Sequence, residues 1–235
     1  MSDQKEQNMP ASPWTMSGED LAEALGASRE KGLSAAEAGK RLKRYGLNRI
    51  KAAPGTPAWY IFTDQFKNPI IFLLAGAAIL SFSFSKMLEG VSIVIAILIN
   101  TLIGFFTEMK ATRSMEALRR MSRISVKVYR DGELQEIFSE KVVPGDLVAL
   151  EGGDLVPADL RLIEASGLQA DEAALTGESE AVDKQTEPLD EDVPLAERRS
   201  MVFKGTTVTS GSGKGVVVKT GMDTELGRIA SLTDE

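Results

Sequence analysis

The chain has 235 residues, 43% of them hydrophobic, with a formal net charge of −7. That is room for one large domain or two modest ones, and the acidic balance argues against nucleic acid, whose phosphates call for a basic face. Neither cysteine nor histidine occurs, which excludes disulfides, zinc–thiolate clusters, a Ser-His-Asp triad and a histidine metal cage, and leaves acid–base work to Asp, Glu, Lys or Tyr.

The N-terminus shows no basic-apolar-small signal pattern. Residues 1–13 are polar, carry Pro10 and Pro13 and lack periodicity, which predicts a disordered tail. An N-terminal helical region with its linker is expected over 14–58. Ser17 with Asp20, and Ser34 with Glu37, have capping-box spacing, so two short helices should start there. The second should run from about Ala35 to Tyr45, stop at Gly46, and place Lys40, Arg41, Lys43 and Arg44 on a solvated face. Beside a membrane, the same run would be drawn to anionic lipid. Ala52 to Pro57 reads as a linker.

From Asn68 to Ser85, and again from Gly90 to Thr107, no residue is charged. Nine of the fifteen residues from Ile70 to Phe84 are Ile, Leu or Phe, and eleven from Val91 to Phe106 are Val, Ile, Leu or Phe. Each favours insertion by about 0.3–0.6 kcal/mol. A transmembrane hairpin within 59–106, with spans of about 69–85 and 87–106, is the reading; a buried hairpin of a soluble core is the alternative. Trp59 and Tyr60 stand where interfacial aromatics belong. Lys67 precedes the first span and Lys110, Arg113, Arg119, Arg120 and Arg123 follow the second, so both ends should be cytoplasmic. No Pro or Gly interrupts Phe105 to Met121, so the second helix should continue through 107–123 as a stiff stalk, on the order of 50 Å in all.

Beyond residue 124 the period changes to two. Strands are expected at Ile124–Tyr129 and Leu134–Phe138 around an Asp131-Gly132 turn, then at Leu147–Leu150, Leu160–Ile163, Met201–Phe203, Thr206–Thr209 and Gly215–Lys219. Gly211 to Gly213 reads as a turn, which would put Lys214 in a hairpin and not in a phosphate loop. Residues 124–235 should form a compact β-sandwich or distorted barrel, closed by a helix from about Thr224 to Leu232. The fold class is therefore α+β: short helices, a membrane hairpin with a long stalk, and a β-rich domain. Asp146, Asp154 and Asp159 sit beside Gly or Pro, where Asp satisfies local backbone donors. That leaves Glu178, a carboxylate on the glycine-hinged turn Leu175-Thr176-Gly177-Glu178-Ser179.

These residues, in this order, resemble the N-terminal part of P-type cation-transporting ATPases, in the branch of calcium and sodium/potassium pumps. The likeness runs from about residue 14 to the end. It is carried by Gly32-Leu33-Ser34, Tyr45-Gly46-Leu47-Asn48, Gln65-Phe66-Lys67-Asn68-Pro69, Pro144-Gly145-Asp146-Leu147-Val148, Gly153-Asp154 and Pro157-Ala158-Asp159. Asp171-Glu172, Leu175 to Ser179, Gly205-Thr206 and Thr220 to Gly227 complete it, with Ala173 where many relatives have serine. The resemblance implies that 124–235 is an actuator domain, whose Thr-Gly-Glu-Ser loop swings to an aspartyl phosphate formed elsewhere from ATP and Mg2+. Glu178 would then deprotonate the hydrolytic water, with Thr176, Gly177 and Ser179 shaping the loop. Calcium is the expected ion, the cell membrane the expected location, and the lipid bilayer and the rest of a pump the expected partners. The phosphorylation signature Asp-Lys-Thr-Gly-Thr is absent, so the chain alone should not be competent. The alternative is a truncated, non-catalytic, membrane-anchored module that binds or regulates an intact pump.

Overall fold

The computed structural model describes residues 10–50, 58–121, 124–177 and 180–233, except for the side chains of 112–121 and 233. The chain divides into two compact units, one formed by the segments up to Lys51 and from Ile124 onward, the other by the segment between them. The start of the expected tail, and the linker at 52–57, lie outside the described residues. Pro13, the last tail residue, is instead buried and opens a 3-10 turn over Pro13–Thr15.

Helix α1 spans Gly18–Ala24 and α2 spans Ala35–Tyr45. Both begin as their capping pairs dictate, with the Asp20 amide donating to Ser17 Oγ at 3.1 Å and the Glu37 amide to Ser34 Oγ at 3.2 Å. Gly46 ends α2. Arg41 corrects the expected solvated face: its side chain is 17% exposed and donates to the carbonyl oxygens of Pro144 at 2.8 Å and Leu25 at 2.7 Å. The helix is turned so that Arg41 faces the protein while Lys40 stays in water.

In the middle unit, α3 covers Ala58–Asp64 and α4 covers Pro69–Ser83, with a 3-10 turn at Gln65–Lys67 between them. The axis bends by 62° there, because Pro69 has no amide proton to donate and holds Asn68 extended. Asn68 Oδ1 then caps α4 by accepting from the Ile70 amide at 3.0 Å. Helix α5 is unbroken from Met87 to Met121, the length expected. Its segment Met87–Ala111 is long and apolar enough to cross a membrane. The expected first span differs: α4 has 15 residues, about 22 Å at 1.5 Å per residue, short of a hydrocarbon core of about 30 Å. It passes the same test only together with the bent α3 segment. Gly90 lies directly under the Phe82 ring, Phe62 meets Phe105 edge-on at 5.9 Å, and Gln65 donates to Glu108 at 2.7 Å, so all three helices pack together.

The second part of the other unit is antiparallel. Strands β1 (Ser125–Arg130), β2 (Glu133–Phe138), β3 (Leu147–Glu151) and β4 (Asp159–Asp171) are followed by α6 (Ala173–Thr176) and β5 (Ala181–Asp183). Then come β6 (Met201–Val202), β7 (Thr207–Lys219) and α7 (Glu225–Thr233). All seven strands join one sheet in the order β2-β1-β3-β7-β4-β5, with β6 also on β4. Of the expected β-sandwich or distorted barrel, the sandwich of two sheets is corrected: one continuous sheet is buried on both faces. Leu147, Ile163, Val216 and Val218 pack with Trp14, Leu21, Leu33 and Phe203 on one face. Val148, Leu150, Leu160, Leu162 and Val217 pack with Val128 and Val208 on the other. Fully buried side chains such as Leu21 and Leu33 contribute about 1.5–3 kcal/mol each.

Two further corrections concern the longest strands. β4 continues eight residues past Ile163, to Asp171, and Thr207–Lys219 forms one strand in place of two with a turn. The bulge lies in β4, where Gly167 and Leu168 together face Gly211 of β7; Gly211 has a left-handed φ of +75° and no room for a β-carbon against the Gly167 carbonyl. Lys214 therefore sits in the middle of a strand, 3.2 Å from Glu164 and over the Tyr129 ring at 4.8 Å.

Candidate functional site

The long β4 strand ends in a hairpin with β5, in register Gln169↔Asp183, Ala170↔Val182 and Asp171↔Ala181. The nine residues 172–180 that connect them carry the loop. Its first half is one tight helical turn. The Ala173 amide donates to Asp171 Oδ1 at 2.9 Å, and the Leu175 and Thr176 amides and Thr176 Oγ1 converge on the Glu172 carbonyl at 2.9, 3.0 and 3.1 Å. Leu175 packs against the core beneath. Gly177 ends the turn with φ +77° and ψ −1° and donates to the Ala173 carbonyl at 3.0 Å. A side chain there would be strained in the left-handed region, so glycine sets the direction in which the chain leaves the turn. Gly177 and Glu180 are exposed. Of the four residues singled out in the sequence, the structure places Thr176 and Gly177 together on this turn; Glu178 and Ser179 lie outside the described residues.

Beneath the loop sits a feature that the sequence did not announce. Glu172 and Lys184, one on either side of it, form an ion pair of 2.5 Å with side chains 1% and 0% exposed. Each is the other's only polar partner among the described residues, and the Lys184 ammonium lies 5.8 Å from the Phe203 ring centre. Burial pushes the carboxyl pKa up and the amine pKa down, and each charge opposes the other's shift. A Glu and a Lys twelve positions apart give no periodic signal; only the hairpin brings them together.

The three aspartates read as structural have backbone work. Asp146 pairs with Arg130 at 2.6 Å and accepts from the Val143 amide, and Asp154 accepts from the Glu151 amide. Asp159 accepts from the amides of Lys204 and Glu225, the latter the first residue of α7. Its burial pushes it up to about 6, while burial lowers neighbouring Lys204 to about 8. Buried Arg161, lowered to about 10 by desolvation, donates to the carbonyls of Met16, Leu162, Thr186 and Ser200. Among the described residues, no three His, Cys, Asp or Glu side chains gather where they could hold a metal ion.

Helices docked on a coiled antiparallel sheet, with a glycine-ended loop at its β4–β5 hairpin, define an actuator-type domain. Residues 120–234 match the family model described as P-type ATPase actuator domain, and residues 13–81 match the one described as Cation transporter/ATPase, N-terminus. The chain is 42% identical over 205 residues to the calcium-transporting ATPase lmo0841 of Listeria monocytogenes, covering 87% of this chain and 23% of that protein. It is 39% identical to a calcium-transporting ATPase of Bacillus subtilis (92% and 24%) and 35% identical to the endoplasmic reticulum-type calcium-transporting ATPase 4 of Arabidopsis thaliana (98% and 23%). The chain belongs to the P-type cation-transporting ATPases. It spans about a quarter of the length of these curated relatives.

Proposed function

We propose that the chain serves as the actuator and first membrane hairpin of an ATP-driven cation pump, with calcium as the ion. The observation that carries this reading is the loop mount: a rigid one-turn helix, anchored by Leu175 and ended by left-handed Gly177, holds the start of Thr176-Gly177-Glu178-Ser179 at the rim of the sheet. A loop so mounted can carry a carboxylate to a phosphorylated aspartate on another domain. There Glu178 orients water and takes its proton as the oxygen attacks phosphorus, and the aspartate leaves as a carboxylate. A positioned general base is worth about 10²–10⁴ in rate. Thr176, Gly177 and Ser179 shape the loop against the phosphate.

The apolar stretch of α5 is one span and α3 with α4 a bent first one, with both chain ends on the cytoplasmic side and lipid around the exposed faces of α4 and α5. This is supported by Leu73 at 75%, Phe72 at 66% and Ile103 at 61% exposure, apolar surface that water would not favour. The remainder of α5 is then the stalk through which actuator motion reaches the membrane. ATP and Mg2+ belong, on this reading, to domains beyond this segment. The calcium assignment draws on the named activities of the bacterial relatives.

The test is phosphoenzyme turnover in a complete, reconstituted pump carrying this segment. Glu178→Gln should leave phosphorylation by ATP intact and make the phosphoenzyme accumulate. Decay at the wild-type rate would remove Glu178 from the mechanism, and calcium-independent phosphorylation would remove calcium.

A further inference from the structure

β5 is three residues long and lies at the edge of the sheet, with Ala181 and Asp183 exposed and Val182 half-buried. A strand this short, with little apolar surface facing inward, sets its own register weakly. Register matters here because a slip of β5 by one residue along β4 changes the number of residues in the connection and moves whatever it carries. The Glu172–Lys184 pair sits where such a slip would be felt. Glu172 directly follows the last residue of β4, Lys184 directly follows β5, and their charged ends meet at 2.5 Å in a site with no other polar partner for either among the described residues. The Lys184 amide also donates to the Leu168 carbonyl at 2.9 Å, fixing that end of β5 to β4.

Stability alone does not account for such a pair. Desolvating two charges offsets most of their attraction, and well-packed apolar side chains of similar size commonly serve as well or better. An apolar pair tolerates sliding; an ion pair without alternative partners does not, because a slip strands two buried charges. We infer that Glu172 and Lys184 are positioning residues that lock the register of β5 and thereby hold the loop in the one geometry from which it can act. The inference rests on the reading above, that the loop drives hydrolysis of the aspartyl phosphate.

The complete pump decides it, in four variants beside wild type: Glu178→Gln, the apolar double variant Glu172→Leu with Lys184→Met, Glu172→Gln, and Lys184→Arg. The rate constant of phosphoenzyme decay is measured after an ATP chase, which counts only phosphorylated molecules and so does not register a lower folded fraction. The double variant should be phosphorylated by ATP at the wild-type rate yet decay about tenfold more slowly, since misplacement by an ångström costs up to about 10²-fold. Lys184→Arg should recover most of the rate. Glu172→Gln, which preserves size, should fall between and gives the same comparison if the double variant does not accumulate. Wild-type decay in these variants alongside slow decay in Glu178→Gln would overturn the register lock and leave the loop reading standing. Wild-type decay in Glu178→Gln itself would overturn both.

Discussion

Asn48 and Lys204 meet end to end: the lysine Nζ donates to Asn48 Oδ1 at 3.0 Å across a sequence separation of 156 residues. The same oxygen accepts from the Gly221 amide at 2.8 Å, and Asn48 Nδ2 donates to the carbonyls of Ser139 and Pro157, both at 2.9 Å. Both lone pairs and both protons of one buried amide are thus in use, and four separate segments of the sheet unit are tied to the end of the N-terminal region. Replacing Asn48 with Leu would leave Gly221 N–H without its partner and take one partner each from Lys204 and from the Ser139 and Pro157 carbonyls. We expect a loss of about 2–4 kcal/mol. Urea denaturation followed by Trp14 fluorescence, in a Trp59→Phe background, reads this unit; an unchanged midpoint would mean that the network adds nothing.

Arg41 yields a sharper contrast with its neighbour. Its guanidinium joins α2 to the Leu25 and Pro144 carbonyls and pairs with Glu37 at 3.1 Å, whereas Lys40 is 78% exposed and 3.7 Å from Glu37. Arg41→Gln should cost about 1–3 kcal/mol, because the carbonyls lose a charged donor. Lys40→Gln should stay within about 0.5 kcal/mol. Equal effects in thermal melts would show that burial of Arg41 has no energetic consequence.

That contrast also shows how far the sequence could be read. Local rules placed what depends on neighbours in the chain. Ser17 and Ser34 marked the helix starts, Gly46 the stop, Asp131-Gly132 the β1–β2 turn, and the unbroken α5 followed from the lack of Pro and Gly. The loop itself was legible as a motif. What failed depended on partners far away. Arg41 looked like one of four solvated cations because nothing local reveals the Pro144 carbonyl. Gly211 to Gly213 looked like a turn because the β4 bulge at Gly167 and Leu168, which Gly211 faces, exists only once β4 and β7 pair. Glu172 and Lys184 could be recognised as a pair only after the hairpin closed.

Glycines at two positions should respond to the same substitution with opposite signs. Gly211 has φ +75°, and a β-carbon there would collide with the Gly167 carbonyl, so Gly211→Ala should destabilise by about 1–3 kcal/mol. Gly39 lies on the exposed face of α2 with nothing near its would-be β-carbon. Gly39→Ala should stabilise by about 0.5–1 kcal/mol, by restricting the unfolded chain and favouring helix. Denaturation midpoints that move in the same direction for both would contradict the bulge.

Asp159 sets a pH dependence whose sign is opposite to that of an ordinary paired carboxylate. Burial holds its pKa at about 6, above the ordinary aspartate value of 3.8, despite the amides of Lys204 and Glu225 and the nearby Lys219 ammonium; the Glu225 carboxylate adds to the rise. A carboxyl raised on folding binds its proton more tightly in the native state. Its contribution is therefore complete below the unfolded value and is lost as pH rises through about 6. Lys204, lowered to about 8, titrates above this window and stays charged throughout it. Between pH 7 and pH 5 the wild-type unit should gain about 1.4 kcal/mol, a factor of about ten in its folding equilibrium, relative to Asp159→Asn. The variant should be less stable at both pH values, because the two backbone amides are aimed at separate carboxylate oxygens and one of them would face the asparagine NH2. A wild-type-to-variant difference that is the same at pH 5 and pH 7 would show that Asp159 titrates in the fold as it does in the unfolded chain.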